Sequence, residues 1–278
     1  MARTLNIIGA GHVGRVLGRL FAAGGAFAVQ DVLTRAHASA QEAVAFIGAG
    51  RAVDGMAALR RADVTLLAVG DDQIGIVCAQ LAAMHGPALA GTVLFHCSGA
   101  KASSELARAC AAGALVASVH PVRSFADTAT VTRDFAGTFC GIEGDGAALT
   151  VLEPALLAIG AQAVHIDAAA KTVYHAASVF ASNYLVTVLD AALRAYQAAG
   201  IDEATARALA RPLATETLEN VLRLGAPAAL SGPVARGDMA TVARQQAAVG
   251  DWDAATGALY AALVAPTVAL AQRKKAGA

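Results

Sequence analysis

Neither sign of charge is in excess in this sequence, and charged residues are few. Lysine plus arginine total 21, aspartate plus glutamate also total 21, and charged residues make up 15% of the 278. A balanced chain has no global field to attract a polyanion, so we expect neither nucleic acid nor an anionic membrane as a partner. Cysteine is also scarce, and its four positions are far apart: Cys78, Cys97, Cys110 and Cys140. Because the close pairs typical of zinc sites and redox dithiols are missing, we expect buried thiols and no metal site.

Long apolar runs are missing as well. Mean hydropathy is +0.54, but Ala-rich stretches supply it, and charges or glycines interrupt each run before the ~20 apolar residues of a membrane span. The first residues, Met1 to Thr4, lead directly into an apolar strand pattern with no signal-peptide pattern ahead of it. We therefore expect a soluble, cytoplasmic protein whose 56% hydrophobic residues form a sizeable core.

Short β-type runs alternate with helical patterns over the first 166 residues. The predicted strands are 4–8, 27–33, 64–69, 93–96, 115–119, 138–142 and 163–166, and helical patterns between them include 13–23, 39–46 and 74–83. Such alternation predicts an α/β fold with a parallel, doubly wound sheet of the Rossmann type. Only helical patterns follow, at 169–199, 203–224, 238–249 and 251–275. We therefore predict a Rossmann-like domain at 1–166 and a smaller all-α domain at 167–278.

A glycine-rich turn follows the first predicted strand and opens the first predicted helix. Its residues are Gly9, Ala10, Gly11, His12, Val13 and Gly14. In this context the first glycine permits a tight turn, the second lets the backbone approach a pyrophosphate, and the third allows close helix packing. The N–H groups at the start of the helix face the anion. We predict that this loop binds the pyrophosphate of NADP or NAD; the alternative is a glycine turn without a ligand.

The residues around the end of the second strand bear on the choice of cofactor. An NAD-preferring protein usually places an acidic residue there, on the ribose hydroxyls, whereas this chain has Thr34 and Arg35. Arg35 can pair with a 2′-phosphate and stack on adenine. Asp31 favours NAD, but it lies three residues before the expected strand end. We therefore predict NADP, with NAD possible, and the alternative for Arg35 is a solvated side chain.

Polar residues also follow the next strands, at the edge where sheets of this type bind ligands. We assign Val69, Asp71 and Ser98 to the cofactor, and we interpret Asp72 as the N-cap of the next helix.

Two histidines and an arginine lie at successive strand ends on the same predicted edge. His96 and His120 can donate hydrogen bonds to a carbonyl or carboxylate, and Arg123 can hold an acid group. The alternative for each histidine is a structural role. Their placement at the edge where cofactor and substrate meet supports a role in the cleft.

The predicted helix after residue 169 has one polar face. Lys171, His175, Ser178 and Ser182 are spaced by four, three and four residues, which places them on one side, and the other faces are almost wholly apolar. We therefore expect a core helix whose polar face lines a cavity, because unpaired Lys and His inside a core are costly. Lys171 can polarise a substrate carbonyl or donate its proton, with His175 assisting. Asn183 lies about 100° from Ser182, so we expect it to contact a different element or a loop. The alternative is a set of satisfied core polar groups or a face turned to water.

A rigid turn at 230–238 separates two later helices. Ser231, Gly232 and Pro233 open it, and Asp238 stands as the N-cap of the next helix. Arg236 between them can close the cleft on a substrate carboxylate or satisfy carbonyls at the end of a helix.

These motifs together resemble a family of bacterial proteins that have a Rossmann-like N-terminal domain and a C-terminal domain of unknown function 2520. The resemblance covers nearly the whole chain. It rests on residues 9–14, Ser98-Gly99-Ala100, His120-Pro121 with Phe125, Tyr174-His175-Ala176-Ala177 with Ser182-Asn183, and Ser231-Gly232-Pro233 with Arg236-Gly237-Asp238.

The family is similar to the 6-phosphogluconate dehydrogenase superfamily, with ketopantoate reductases, pyrroline-5-carboxylate reductases and deazaflavin-dependent NADP reductases as relatives. In its hydroxyacid dehydrogenases a helix after the nucleotide domain carries a catalytic lysine and, four residues later, an asparagine. Here that spacing gives Lys171 and His175. The resemblance also implies a histidine in the helix after Asp238, where this chain has Gln245, and a homodimer formed through the helical domains.

The leading hypothesis is an NADP-dependent reductase that transfers hydride between NADP(H) and a small keto or hydroxy acid, as ketopantoate reductases do. The candidate catalytic residues are Lys171, His175, His120, Ser182 and Asn183, and the candidate substrate residues are His96, Arg123, Ser178 and Arg236. One alternative is an imine reductase resembling pyrroline-5-carboxylate reductase, for which a neutral hydrogen-bond donor suffices. The other is a sensor or interaction protein that binds NADP without chemistry.

Overall fold

The computed structural model describes residues 2–276. Internal contacts divide the chain into two compact units, Met1–Phe180 and Ala181–Ala278. The first unit contains a β-sheet flanked by helices, and the second is helical in its described part. The predicted fold class, a Rossmann-type sheet followed by an all-α region, is confirmed.

The described residues form one sheet of eight strands, in the order β3-β2-β1-β4-β5-β6-β7-β8. The strands are β1 (Arg3–Ile8), β2 (Phe27–Leu33), β3 (Arg51–Val53), β4 (Val64–Leu67), β5 (Val93–His96), β6 (Leu115–Pro121), β7 (Phe139–Gly144) and β8 (Gln162–His165). Neighbours from β3 to β6 are parallel. The short strand β3 was missed, because three residues are too few for a periodic pattern.

The expectation of a wholly parallel sheet is wrong at one place, since β7 runs antiparallel to β6 and parallel to β8. Alternation of strand and helix patterns does not specify strand direction. The link between β6 and β7 contains one helix of six residues, Thr128–Arg133. This helix is about 9 Å long, which is too short to carry the chain back along the roughly 23 Å of β6, so β7 runs in the opposite direction.

The described residues of the first unit form seven α-helices. They are α1 (His12–Ala23), α2 (His37–Ile47), α3 (Ile74–His85), α4 (Ala107–Ala111), α5 (Thr128–Arg133), α6 (Gly146–Ala158) and α7 (Lys171–Val179). Successive strand residues point to opposite faces of the sheet, so Ile7 and Leu66 join the core cluster that includes α1, and Ile8 and Leu67 join the one that includes α3. Helices therefore cover both faces of the sheet and leave the strand ends for a site.

The second unit consists of helices linked by short turns. They are α8 (Leu185–Ala198), α9 (Glu203–Leu224), α10 (Ala226–Ala229), α11 (Pro233–Arg236), α12 (Met239–Trp252) and α13 (Ala254–Ala276). A π-helical turn, Phe180–Tyr184, precedes α8. The predicted N-cap Asp238 is confirmed, since its carboxylate accepts a hydrogen bond from Thr241 N at 3.1 Å.

Two burial predictions are wrong. The helix after residue 169 is not a core helix within one chain: Lys171 is buried, but Val173 of α7 is 76% exposed and Val186 of α8 is 66% exposed. The buried residue of α7, Lys171, lies on its polar side, and none of residues 2–276 covers the apolar side chains of Val173 and Val186. Among the cysteines, Cys78 and Cys140 are buried, whereas Cys110 is exposed because it lies on the outer side of the short helix α4.

Two helical stretches, Ala168–Ala198 and Ala254–Ala276, are long and apolar enough to span a membrane by length and composition alone. The core helix of a soluble protein passes the same test.

Candidate functional site

The glycine turn between β1 and α1 has the geometry that its sequence predicts. Gly9 has a φ of 84°, and a Cβ there would lie 2.6 Å from the carbonyl oxygen of Ala68. A Cβ at Gly14 would lie 2.6 Å from the oxygen of Gly9, so α1 packs closely on the turn. At Gly11 no described atom comes within 4 Å of the Cβ position. The turn is thus tight at its first and third glycines and open at its second.

The start of α1 is also available to an anion. Gly11 is its N-cap residue, and no side chain of the described residues caps it. Such a start leaves backbone N–H groups for a ligand. His12 lies beside this opening and donates from Nδ1 to the carbonyl oxygen of Phe125 at 2.6 Å, which ties the glycine turn to the segment after β6. Ala10 is buried, and Val13 packs on the core.

Asp31, the acidic residue nearest the end of β2, is engaged within the protein. Its carboxylate is fully buried and accepts hydrogen bonds from Arg60 N at 2.8 Å, Arg60 Nη2 at 2.8 Å and Arg51 Nε at 3.2 Å. Burial raises the pKa of Asp31. The hydrogen bonds from Arg60 and the positive charges of Arg60 and Arg51 lower it by more, so this pKa lies below its usual value. Beyond the strand, Thr34 Oγ1 donates to the carbonyl of Ala36 at 2.7 Å, and Arg35 is exposed. The arginine, not the aspartate, is open to a ligand at this strand end.

The loops after β4 and β5 are joined by a side-chain hydrogen bond. Ser98 Oγ donates to Asp71 Oδ2 at 2.8 Å and accepts from Lys101 N at 2.9 Å. Val69 packs against the second core cluster. The N-cap interpretation of Asp72 is wrong: residues Asp71–Gln73 form a 3-10 turn, and the carboxylate of Asp72 accepts from the Gln73 side chain.

His96, at the end of β5, is used entirely inside the protein. It is fully buried, its Nδ1 accepts from Ser98 N at 3.1 Å, and its Nε2 donates to the carbonyl of Ala102 at 3.1 Å. Burial lowers the pKa of His96, which keeps the ring neutral. With both ring nitrogens engaged, His96 shapes the loop 97–102 and has none left for the predicted substrate contact.

Lys171 is the centre of a buried polar network. Its side chain is 1% exposed, and its ammonium donates to the carbonyl of Ser98 at 2.8 Å and to Ser118 Oγ. Glu143 Oε1 lies 3.8 Å away, and the same carboxylate accepts from the N and Oγ of Ser103 at 2.8 and 2.7 Å. Burial lowers the pKa of Lys171, with the attraction of Glu143 acting the other way. The ammonium thus joins α7 to the loop after β5, to β6 and to β7 in the interior.

Beside this network, two histidines and a tyrosine meet at Gly99. His120 of β6 and His175 of α7 contact edge to face, with ring centroids 5.4 Å apart. A Cβ at Gly99 would lie 2.2 Å from His175 Nδ1 and 2.8 Å from His120 Nε2, so both nitrogens point to the same place. His120 Nδ1 lies 3.0 Å from the hydroxyl of Tyr174. Residue 99 must be small, because a side chain would occupy the point where the two histidines converge.

The histidine cluster has one atom without a partner. His175 Nδ1 is buried, and none of residues 2–276 hydrogen-bonds to it. Burial, with the charges of His175 and Lys171, lowers the pKa of His120 to about 4, so this ring is neutral at physiological pH. A buried polar atom without a partner calls for an explanation, and a ligand atom is one.

Tyr174 is the residue of this cluster that was absent from the candidate site residues. It lies three positions after Lys171, on the same helical face, and that spacing was the available signal.

The remaining candidates are placed as follows. Arg123 donates to the carbonyl of Asp134 and to Thr138 Oγ1 at 3.2 Å, contacts that hold the segment after β6. Ser178 is half-buried in α7. In the second unit, Ser182 and Asn183 are exposed in the π-helical turn, and Arg236 is exposed at the end of α11.

Two family models match separate parts of the chain. Residues 2–121 match the model of a Rossmann-like domain, and residues 138–267 match a domain of unknown function, DUF2520. The resemblance inferred from the motifs is therefore confirmed. None of the curated proteins matches the sequence.

Solved structures share the fold over nearly the full length. The protein TM1727 from Thermotoga maritima is 26% identical, with a TM-score of 0.73 over 98% of this chain and 99% of that one. An imine reductase from Myxococcus stipitatus in complex with NADP+ is 18% identical, with a TM-score of 0.69 over 99% and 95%. A pyrroline-5-carboxylate reductase from Coxiella burnetii is 15% identical, with a TM-score of 0.60 over 99% of each chain.

Proposed function

We propose that this chain, in which a Rossmann-like domain is joined to a DUF2520 domain, is an NADP-dependent reductase that transfers hydride between NADP(H) and a small keto or hydroxy acid. The observation that carries the proposal is the convergence of His120 Nε2 and His175 Nδ1 on Gly99. This point is linked to the glycine turn through contacts within the first unit. Gly9 packs on Ala68, and Asp71, three residues later, accepts from Ser98.

The residues at the strand ends fit a dinucleotide. The open position at Gly11 and the uncapped start of α1 suit a pyrophosphate. Arg35 suits a 2′-phosphate, with Thr34 beside it holding the turn through its bond to Ala36, and Asp31 does not compete for the ribose because two arginines hold it. The relative from Myxococcus stipitatus has NADP+ bound. When bound, the nicotinamide would supply the hydride, and we assign Val69, Asp71 and Ser98 to its binding.

The two histidines have different roles in this proposal. His120 is neutral, so it offers a hydrogen bond without a full charge, polarising the substrate carbonyl where negative charge develops on oxygen. As hydride adds to the carbonyl carbon, the π electron pair moves to the oxygen, which takes a proton. We assign that proton to His175, whose Nδ1 has no partner among the described residues. Lys171 acts by holding the carbonyl of Ser98, and so fixes Gly99, rather than by touching substrate.

The other substrate assignments rest on the sequence pattern. Within the first unit, Arg123 would anchor the acid group, and Ser178 would contact the remainder of the substrate.

Reduction of an imine is the second candidate, and one observation favours it. A neutral donor such as His120 suffices for an imine, and the similar structures include an imine reductase and a pyrroline-5-carboxylate reductase. Measuring the oxidation of NADPH by its absorbance, first with ketopantoate and then with pyrroline-5-carboxylate, separates keto-acid reduction from imine reduction. Turnover of neither substrate removes both specific assignments. Loss of turnover in His175→Ala, with NADPH affinity unchanged, excludes a sensor without chemistry; unchanged activity in that variant refutes the catalytic assignment.

We also propose a homodimer formed through the helical regions. Leu213 and Leu222 of α9 are 60% and 79% exposed, in addition to Val186 of α8. Apolar side chains exposed to this degree along helices are typical of surfaces that another subunit covers. Sedimentation of the purified protein at micromolar concentration tests this, with a mass of twice 27.8 kDa expected. A monomer at that concentration contradicts it.

A further inference from the structure

The hydroxyl of Tyr174 occupies a site that the fold has made for it. Tyr174 lies in α7 and reaches His120 of β6, with its oxygen 3.0 Å from Nδ1 and the rings edge to face at 5.6 Å. His120 pairs with Gly141 across the antiparallel β6–β7 ladder. A Cβ at Gly141 would lie 2.3 Å from the Tyr174 hydroxyl. The tyrosine therefore reaches the histidine only because residue 141 has no side chain.

The direction of this hydrogen bond decides what His120 presents at Gly99. A neutral imidazole has one ring proton, on either Nδ1 or Nε2, and the nitrogen without it is an acceptor. Burial raises the pKa of the Tyr174 phenol, so the hydroxyl keeps its proton and can donate it. Among the described residues, His120 Nδ1 is the one side-chain hydrogen-bond partner of this hydroxyl, so its proton has an acceptor only if the hydroxyl donates to that nitrogen.

We propose that Tyr174 is a positioning residue that fixes the tautomer of His120: its hydroxyl donates to Nδ1, so the ring proton stays on Nε2 and is directed to the point beside Gly99. The role in catalysis rests on the proposed function, because it is there that a substrate carbonyl or imine would accept the hydrogen bond. The tautomer itself does not depend on that function. If Nδ1 carried the proton instead, two acceptors would face the substrate whenever His175 Nδ1 is also unprotonated.

Nitrogen NMR of the whole protein labelled with 15N-histidine measures the tautomer directly. His120 is assigned by the loss of its signals in His120→Asn. We expect the wild type at neutral pH to show Nε2 protonated and Nδ1 unprotonated. Tyr174→Phe should move both nitrogens towards the averaged values of a mixed tautomer. Tyr196→Phe, in α8, is the matched control and should leave the spectrum of His120 unchanged.

Two results would overturn the proposal: a wild-type His120 with its proton on Nδ1, or a Tyr174→Phe protein with the wild-type pattern. The wild-type spectrum decides the first even if the variant does not fold. In the kinetic arm, Tyr174→Phe should lower kcat about tenfold with little change in KM for NADPH, which corresponds to about 1.4 kcal/mol. If the wild type turns over neither class of substrate, the proposed function fails, and the spectra still decide the role of Tyr174.

Discussion

Replacing Lys171 by methionine removes the cation from the buried network and keeps the apolar stem. The ammonium donates two hydrogen bonds, to Ser98 and Ser118, and lies 3.8 Å from Glu143, which is itself only 5% exposed. The variant leaves this carboxylate buried without its cation. Breaking one side of a buried ion pair typically lowers the free energy of unfolding by about 3–5 kcal/mol. That is a large share of the roughly 5–15 kcal/mol that stabilises a domain.

Urea unfolding followed by far-UV circular dichroism measures this loss, and hydrogen exchange of the peptides covering β5 to β7 locates it, since the chain has two units and need not unfold in one step. Lys101→Met is the matched control. Its ammonium pairs with Glu105 at 3.1 Å, but both side chains are about one third exposed, so the expected loss is below about 1 kcal/mol.

The double variant Lys171→Met with Glu143→Gln completes the cycle. The amide oxygen can still accept from Ser103, and no uncompensated charge remains, so most of the loss should be recovered. The reasoning is refuted if Lys171→Met is no more destabilising than Lys101→Met. It is equally refuted if the double variant loses as much as the two single variants added together.

Three further predictions concern the histidine cluster and the cofactor. His120 should titrate near pH 4 by NMR. The same histidine takes up its proton near pH 6.5 in the unfolded chain, so its contribution to the free energy of unfolding should fall as the pH drops from about 6.5 to 4. Titration of the folded protein near pH 6.5 would contradict this. Gly99→Ala, whose methyl would lie 2.2 Å from His175 Nδ1, should abolish turnover and keep NADPH affinity, whereas Gly146→Ala, in open space, should change neither. Arg35→Ala should weaken NADPH binding about tenfold or more in a fluorescence titration without affecting NADH, and equal NADPH affinity would remove the phosphate assignment.

The features that depend on neighbouring residues could be predicted from the sequence. The glycine turn is one, because the positive φ of Gly9 and the close contact of Gly14 with Gly9 are set within a few residues. Strands β2 and β5 begin and end where the pattern of β-type residues does. The cap at Asp238 is local as well.

The features that depend on distant residues could not be predicted. Asp31 is held by Arg51 and Arg60, which come from later parts of the chain, so its sequence position alone left its role open. Lys171 and His175 on one helical face suggested catalysis. The ion pair that holds Lys171 in the interior is formed with Glu143 on β7, which is distant in the sequence. Tyr174 shares a helical face with Lys171, but its contact with His120 depends on Gly141, a distant residue whose lack of a side chain leaves room for the hydroxyl.

The bonds of Lys171 also constrain the order in which the chain can assemble. They join Lys171 to Ser98 and Ser118, 73 and 53 positions away, and the entropy of closing such long loops must be paid before these contacts can stabilise the fold. During synthesis, the strands up to β8 leave the ribosome before the lysine that neutralises Glu143 does. A chain that stopped at residue 166 would carry every strand of the sheet and yet retain a buried carboxylate without its cation, so the first unit is finished only when α7 has docked.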